Sequence, residues 1–295
     1  MIAVIALGAM TALSACGKSS PAAEPDSIAP AADAGQESAE SAAEPETTGP
    51  VVEPDASGSD AVEEVTETEE TAVQKLRLTT PLTIACVGDS ITYGDGVKET
   101  REVDSYPARL QALFYEAGYD RDDDRVSVIN YGVCGKTLMS TGDKPYSAAE
   151  EYRESLKAAA DIYILMLGTN DAKPFNWSEK VFEEELPAFW KEYEKAQTGA
   201  GKPVCLVVMK PPCVFEVEGE MYPYGISGKI LKDYVNPHFD AALEEMREDG
   251  LIPVDLNELT CDHPEWFPDG VHPNAEGNQA IAQAVYDAIN AAIGF

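Results

Sequence analysis

The first 92 residues contain no Phe, Tyr or Trp; all 24 aromatic residues (Tyr 13, Phe 8, Trp 3) of this 295-residue chain lie from Tyr93 onward. A segment without large apolar rings cannot build a core of its own. Basic residues are scarce as well, with 21 Lys and Arg against 53 Asp and Glu and a formal net charge of −32. That balance repels polyanions and argues against nucleic acid as a partner. Only three histidines are present, His238, His263 and His272, and none of the six cysteines is spaced with them as zinc ligands are. The acidic clusters Asp122-Asp123-Asp124 and Glu183-Glu184-Glu185 lack calcium-loop spacing and read as solvated faces. No repeat of fixed period occurs, which excludes a solenoid.

Three segments follow from composition. Residues 1–16 carry a small and apolar stretch, Ile2 to Ala15, shorter than the roughly 20 residues of a membrane-spanning helix and suited to a secretion signal. It ends Leu13-Ser14-Ala15-Cys16, which resembles the lipobox of bacterial lipoproteins, with Cys16 as the lipidated residue. This implies a secreted chain held at the cell surface or membrane through a lipid anchor only. No Lys or Arg precedes the apolar run, a departure that leaves two readings open: a start upstream of Met1, or a chain that is not a lipoprotein. Residues 17–75 hold fifteen acidic residues and only Lys18 and Lys75 in opposition. We read them as a disordered acidic tether whose ends average about 40–45 Å apart.

Residues 76–295 carry 19 basic and 38 acidic residues, a net −19, and are long enough for one domain. Apolar runs at Leu82–Val87, Val126–Tyr131, Asp161–Leu167, Val204–Met209 and Leu251–Val254 predict buried strands. Helical patterns alternate with them at Tyr106–Ala117, Ala148–Ala160, Ser178–Gln197, Gly228–Glu248 and Ala275–Ile293. Five strands, each followed by a helix, predict an α/β fold with a five-stranded parallel sheet covered on both faces. Chemistry in such folds gathers beyond the carboxyl ends of the strands.

Those ends carry polar signals. Gly88-Asp89-Ser90 follows the first strand and suits either a nucleophile on a tight turn or a helix cap. A Gly-x-Ser-x-Gly elbow is absent, because Thr92 stands two after Ser90. Asn130 to Thr137 follows the second strand and contains Gly132, Gly135 and Lys136. Gly168-Thr169-Asn170-Asp171 follows the third and sets a side-chain amide in the same crevice. Among the histidines, His272 stands out in Asp269-Gly270-Val271-His272-Pro273, where an acid three residues back can fix the imidazole. His238 and His263 read as surface or packing residues. Cys86 and Cys205 read as buried thiols, Cys134 as accessible, and Cys213 and Cys261 as loop candidates for a disulfide.

In order, these four segments resemble the signature blocks of the SGNH (GDSL-type) hydrolases, over essentially the whole of residues 83–295. The resemblance implies a three-layer α/β/α sandwich of flavodoxin-like type and ester hydrolysis by acyl transfer. Ser90 falls on the nucleophile, His272 on the base and Asp269 on its acid; Ser90, Gly135 and Asn170 fall on the oxyanion-hole donors. No metal or organic cofactor is implied. Gly168 to Pro174 with Trp177, Lys136 and Asp269 to Asn274 look like the sialate O-acetylesterase-like and carbohydrate-esterase branches. That likeness implies a short-acyl, chiefly acetyl, substrate on a glycan or other small ester, with Asp89, Lys136 and Trp177 as candidate substrate contacts. The net −19 favours neutral acetylated xylan or mannan over anionic polymers. Two rivals stand beside this reading: a lipase or lysophospholipase of the same fold, and a surface-binding lipoprotein without catalysis.

Overall fold

The computed structural model describes residues 75–219, 221–246 and 250–294. The signal and lipobox segment with Cys16, and the tether up to residue 74, lie outside the described residues. The central sheet has five parallel strands: β1 (Leu82–Gly88), β2 (Val126–Gly132), β3 (Ile162–Met166), β4 (Leu206–Lys210) and β5 (Leu251–Asp255). Their spatial order is β2-β1-β3-β4-β5, the flavodoxin-like order expected of this topology. Gly88 is level with Gly132 on one side and Met166 on the other, so the loops leaving β1, β2 and β3 open at the same height.

Side-chain alternation explains the layers. Ile84, Cys86, Ile162, Ile164, Val207 and Met209 face α1 (Tyr106–Glu116) and, near the C-terminus, the helix Ala275–Ala292. Between these in sequence come α2 (Glu150–Ala158), α3 (Glu179–Gly199) and α4 (Asn236–Glu245), making Ala275–Ala292 α5. Ala85, Val87, Tyr163, Leu165, Leu206 and Val208 face the other way, toward Leu156 of α2, Leu186 and Trp190 of α3 and Phe239 of α4. Strands buried on both faces carry the near-continuous apolar runs read from the sequence.

Two local differences have physical causes. The helix expected over 228–248 is present but not uniform: Gly228–Ile230 is α-helical, Leu231–Val235 is a π-helical turn, and α4 begins at Asn236. Pro237 lacks an N–H and its ring crowds the carbonyl four residues back, which is relieved by widening the preceding turn. A short parallel pair joins Leu76–Arg77 to Ile293–Gly294. Two-residue strands leave no periodicity to read. Cys213 and Cys261 are joined in a disulfide with Cα atoms 5.1 Å apart, a normal span. Cys86 and Cys205 are fully buried, and burial pushes the Cys205 thiol up to about 12.

Candidate active site

Ser90 opens a short helix, Ser90–Tyr93, directly after β1. Asp89 caps it, its Oδ1 accepting the Ile91 N–H at 2.9 Å. The cap fixes the chain's exit from the strand and leaves Ser90 at the first helical position, where no preceding turn accepts its N–H. The Ser90 hydroxyl donates to Nε2 of His272 at 2.9 Å, and both residues are buried.

His272 is held from behind. Its Nδ1–H donates to Oδ2 of Asp269 at 2.8 Å, while Oδ1 of the same carboxylate accepts the backbone N–H groups of Val271 at 3.0 Å and His272 at 2.7 Å. Gly270, with φ of +82°, makes the turn that lets one carboxylate reach all three. Burial opposes ionisation of Asp269, but the His272 bond, the imidazolium charge and the two backbone donors outweigh it and hold this carboxyl well below the usual range. An ionised Asp269 fixes the His272 tautomer with Nε2 as the acceptor facing Ser90.

The residues expected as oxyanion donors lie in the loops that follow the two neighbouring strands. Gly135, with φ of +78°, follows β2, and Asn170 follows β3 with 4% exposure. One Asn170 amide hydrogen goes to Asp89 Oδ2 at 3.4 Å, a long bond, and the other has no acceptor among the described residues. The two loops are tied together. Asp171 accepts the N–H groups of Leu138 and Met139, each at 2.8 Å, and Asn176 links the Asp143 N–H to the Asn170 carbonyl. Desolvation raises Asp171 to about 7, against its two backbone donors and with help from the Asp89 charge. It likewise raises Asp89 to about 6, opposed by the Ile91 N–H, the His272 charge and the Thr169 and Asn170 side chains.

The three side chains are linked with the geometry of a Ser-His-Asp relay, and comparison with known proteins gives the family. The GDSL-like Lipase/Acylhydrolase family matches residues 86–280, a span containing every residue of this constellation. The chain belongs to that family. It is also similar to an acetylxylan esterase of Xylanibacter ruminicola, 29% identical over 221 residues, covering 70% of this chain and 42% of that protein. The chain thus spans less than half the length of that relative. Two solved structures share the fold. Est24, a carbohydrate acetylesterase from Sinorhizobium meliloti, is 18% identical with a TM-score of 0.51, covering 71% of this chain and 99% of its own. LAE5, an alpha/beta hydrolase enzyme from the metagenome of Lake Arreo, Spain, is 19% identical with a TM-score of 0.53, covering 72% and 97%.

Within this GDSL-family site the remaining expected residues are placed unequally. Asp89, expected at the substrate, is fully buried beneath the nucleophile and holds the Ser90 helix and Asn170 instead. Lys136 points its ammonium to the Pro145 carbonyl at 3.4 Å and braces its own loop. Trp177 packs among Phe182, Tyr234 and His238, an aromatic cluster on the α3 and α4 side. His238 belongs to that cluster, and His263 stacks on Trp266, so neither touches the triad. Two residues not singled out from sequence do touch it. Tyr224 donates its hydroxyl to Asp269 Oδ2 at 2.9 Å and sets its ring perpendicular to His272 at 4.8 Å. Asp95 brings Oδ2 to 3.9 Å from His272 Nε2. Neither lies in a strand-end motif. A left-handed φ of 56° at non-glycine Tyr224 is a signal only coordinates reveal.

Proposed function

We propose that this chain is a serine esterase that removes acetyl and other short acyl groups from carbohydrates, working outside the cytoplasm on a lipid-anchored tether. One observation carries the reading: the unbroken relay from Asp269 through His272 to the Ser90 hydroxyl, at 2.8 and 2.9 Å, beside the Gly135 and Asn170 loops. Ser90 Oγ attacks the ester carbonyl while His272 Nε2 takes its proton and Asp269 stabilises the imidazolium. The Ser90 and Gly135 N–H groups and the Asn170 amide receive the developing oxyanion, each donor contributing about 3–4 kcal/mol in the transition state. The imidazolium protonates the departing sugar alcohol. Water then repeats the sequence on the acyl-serine, frees the acid and restores Ser90.

The substrate class rests on the relatives and on charge. A cleft of about 390 Å³ lies along the segment that follows the Ser90 helix, lined by Tyr93, Lys98, Glu99, Arg101, Val103 and Asp104 with more apolar than polar surface. The names of the relatives, acetylxylan esterase and carbohydrate acetylesterase, support an acetyl group on a glycan. Net charge of −19 over residues 76–295 favours neutral xylan or mannan over acidic polymers. The Leu13-Ser14-Ala15-Cys16 run and the Cys213–Cys261 disulfide both support an oxidising, extracytoplasmic setting. Acetate released from acetylated xylan, mannan, pectin and sialic acid tests the reading, with Ser90→Ala as the control. Equal hydrolysis by Ser90→Ala and wild type sinks it; preference for octanoyl over acetyl p-nitrophenyl esters replaces the acetylesterase with a lipase.

A further inference from the structure

His272 faces two carboxylates, and the mechanism above uses only one. Asp269 serves Nδ1, whereas Asp95 stands on the other side of the ring, 3.9 Å from the nitrogen that handles the proton in both half-reactions. The Asp95 side chain is only 10% exposed, so it is not a surface group that happens to be near. Its seat is built. A Cβ on Gly96 would fall 2.3 Å from the Pro273 carbonyl oxygen, so only glycine lets this loop press against the His272–Pro273 turn. Lys98 lies 2.6 Å from Oδ1, and the Cys134 thiol donates to the same oxygen at 3.6 Å. With Oδ1 engaged, Oδ2 is turned toward Nε2.

We propose that Asp95 is a further catalytic residue, one that with His272 holds and orients the water that hydrolyses the acyl-enzyme. The inference rests on the esterase reading. Two acceptors 3.9 Å apart can share one water placed about 2.8 Å from each, with the two directions meeting at about a right angle, close to the spread of its two hydrogens. Once the sugar alcohol has left with its proton, Nε2 is again an acceptor and Ser90 Oγ is bonded to the acyl carbon. The water then donates one hydrogen to Nε2 and one to Asp95 Oδ2, leaving a lone pair for the carbonyl. As its oxygen bonds to the acyl carbon, the first proton passes to Nε2. When the C–Oγ bond breaks, that proton returns to Oγ, and the acid departs with the water's oxygen. Asp95 keeps its charge throughout and exchanges no proton.

The proposal separates the two half-reactions. The Asp95 charge stabilises the imidazolium in both, but only deacylation uses Oδ2 as an acceptor for the nucleophile. In Asp95→Asn, deacylation should fall by about 10–100-fold and acylation by no more than about threefold, the former the scale of losing one hydrogen bond to a charged acceptor. With p-nitrophenyl acetate the variant should release a burst of one p-nitrophenol per active site followed by slow turnover, and its intact mass should show the acetylated protein. Lys98→Ala controls for the ion pair as a mere loop anchor. The idea is overturned if Asp95→Asn slows both steps in equal proportion, as a loosened loop would, or slows neither. Should the amide variant not fold, Asp95→Ser carries the same expectation. A wild type that forms no acyl-enzyme from the ester defeats the esterase reading instead, and that result is read before the variants are compared.

Discussion

Replacing Asp269 by Asn separates the orientation of His272 from the mere presence of a polar group beside it. Oδ1 accepts two backbone N–H groups, at 2.7 and 3.0 Å, so the Asn amide keeps its oxygen there and turns its NH2 toward His272. That NH2 occupies the place of Oδ2, where His272 Nδ1–H and the Tyr224 hydroxyl both donate. Nδ1 must then accept, the proton moves to Nε2, and Nε2 can no longer take the Ser90 proton. Flipping the amide restores the tautomer but leaves two backbone N–H groups facing an NH2, at about 1–3 kcal/mol each, or about 2–6 kcal/mol in all. At 1.36 kcal/mol per decade, kcat/KM should fall by about 30-fold to about 25,000-fold. The loss should sit in kcat, with KM for p-nitrophenyl acetate within about twofold, because nothing that binds the ester has moved. Steady-state hydrolysis of wild type and Asp269→Asn at the same pH measures it. A loss smaller than about fivefold refutes the argument that the backbone donors dictate the amide's orientation.

Other measurements address separate parts of the structure. Asn170→Ala removes one oxyanion donor and should lower kcat by about 10²–10³-fold with little change in KM; an unchanged kcat removes Asn170 from the oxyanion hole. Asp171 is raised to about 7, above its unfolded value near 3.8, so the folded state binds the extra proton between these limits. Its contribution is therefore full below pH about 4 and is lost as pH rises through about 7. Asp171→Asn lacks that slope, and its Tm relative to wild type should climb across this window; a pH-independent difference contradicts the burial argument. Reducing the Cys213–Cys261 bond, which spans 48 residues, should lower unfolding free energy by up to about 4 kcal/mol in urea titrations. An unmoved midpoint shows that the cross-link constrains nothing in the unfolded chain.

Sequence patterns reached the sheet because its strands are buried on both faces, so apolar runs such as Leu82–Val87 stand out without alternation. The triad was legible for a different reason: with three histidines in the chain, only His272 had an acid at a turn-compatible spacing. The positions of Asn170 and Gly135 in loops after neighbouring strands were legible from their motifs. Asp95 and Tyr224 were not, since each meets His272 through a loop whose path depends on tertiary packing, Gly96 against Pro273 in one case and Pro223 near Gly270 in the other. Asp89 shows the opposite failure. Its motif pointed to the site correctly, but proximity in sequence to a nucleophile does not say whether a side chain faces the crevice or the core. The π-helical turn before α4 was written in Pro237, a residue that pattern matching over a long apolar period passes over.

The relay also has a lopsided history along the chain. Acid and base lie 3 residues apart, whereas base and nucleophile lie 182 apart. The first pairing needs only one glycine-containing turn and can survive in a fragment. The second needs the earliest strand of the sheet and the turn before its last helix to meet across an assembled core, after the entropy of closing that long loop has been overcome. Hydrolysis is therefore a reporter of the completed domain. In refolding experiments, regained turnover should follow rather than precede the return of helical and aromatic signals, and severing α5 from the sheet should silence a nucleophile that it never touches.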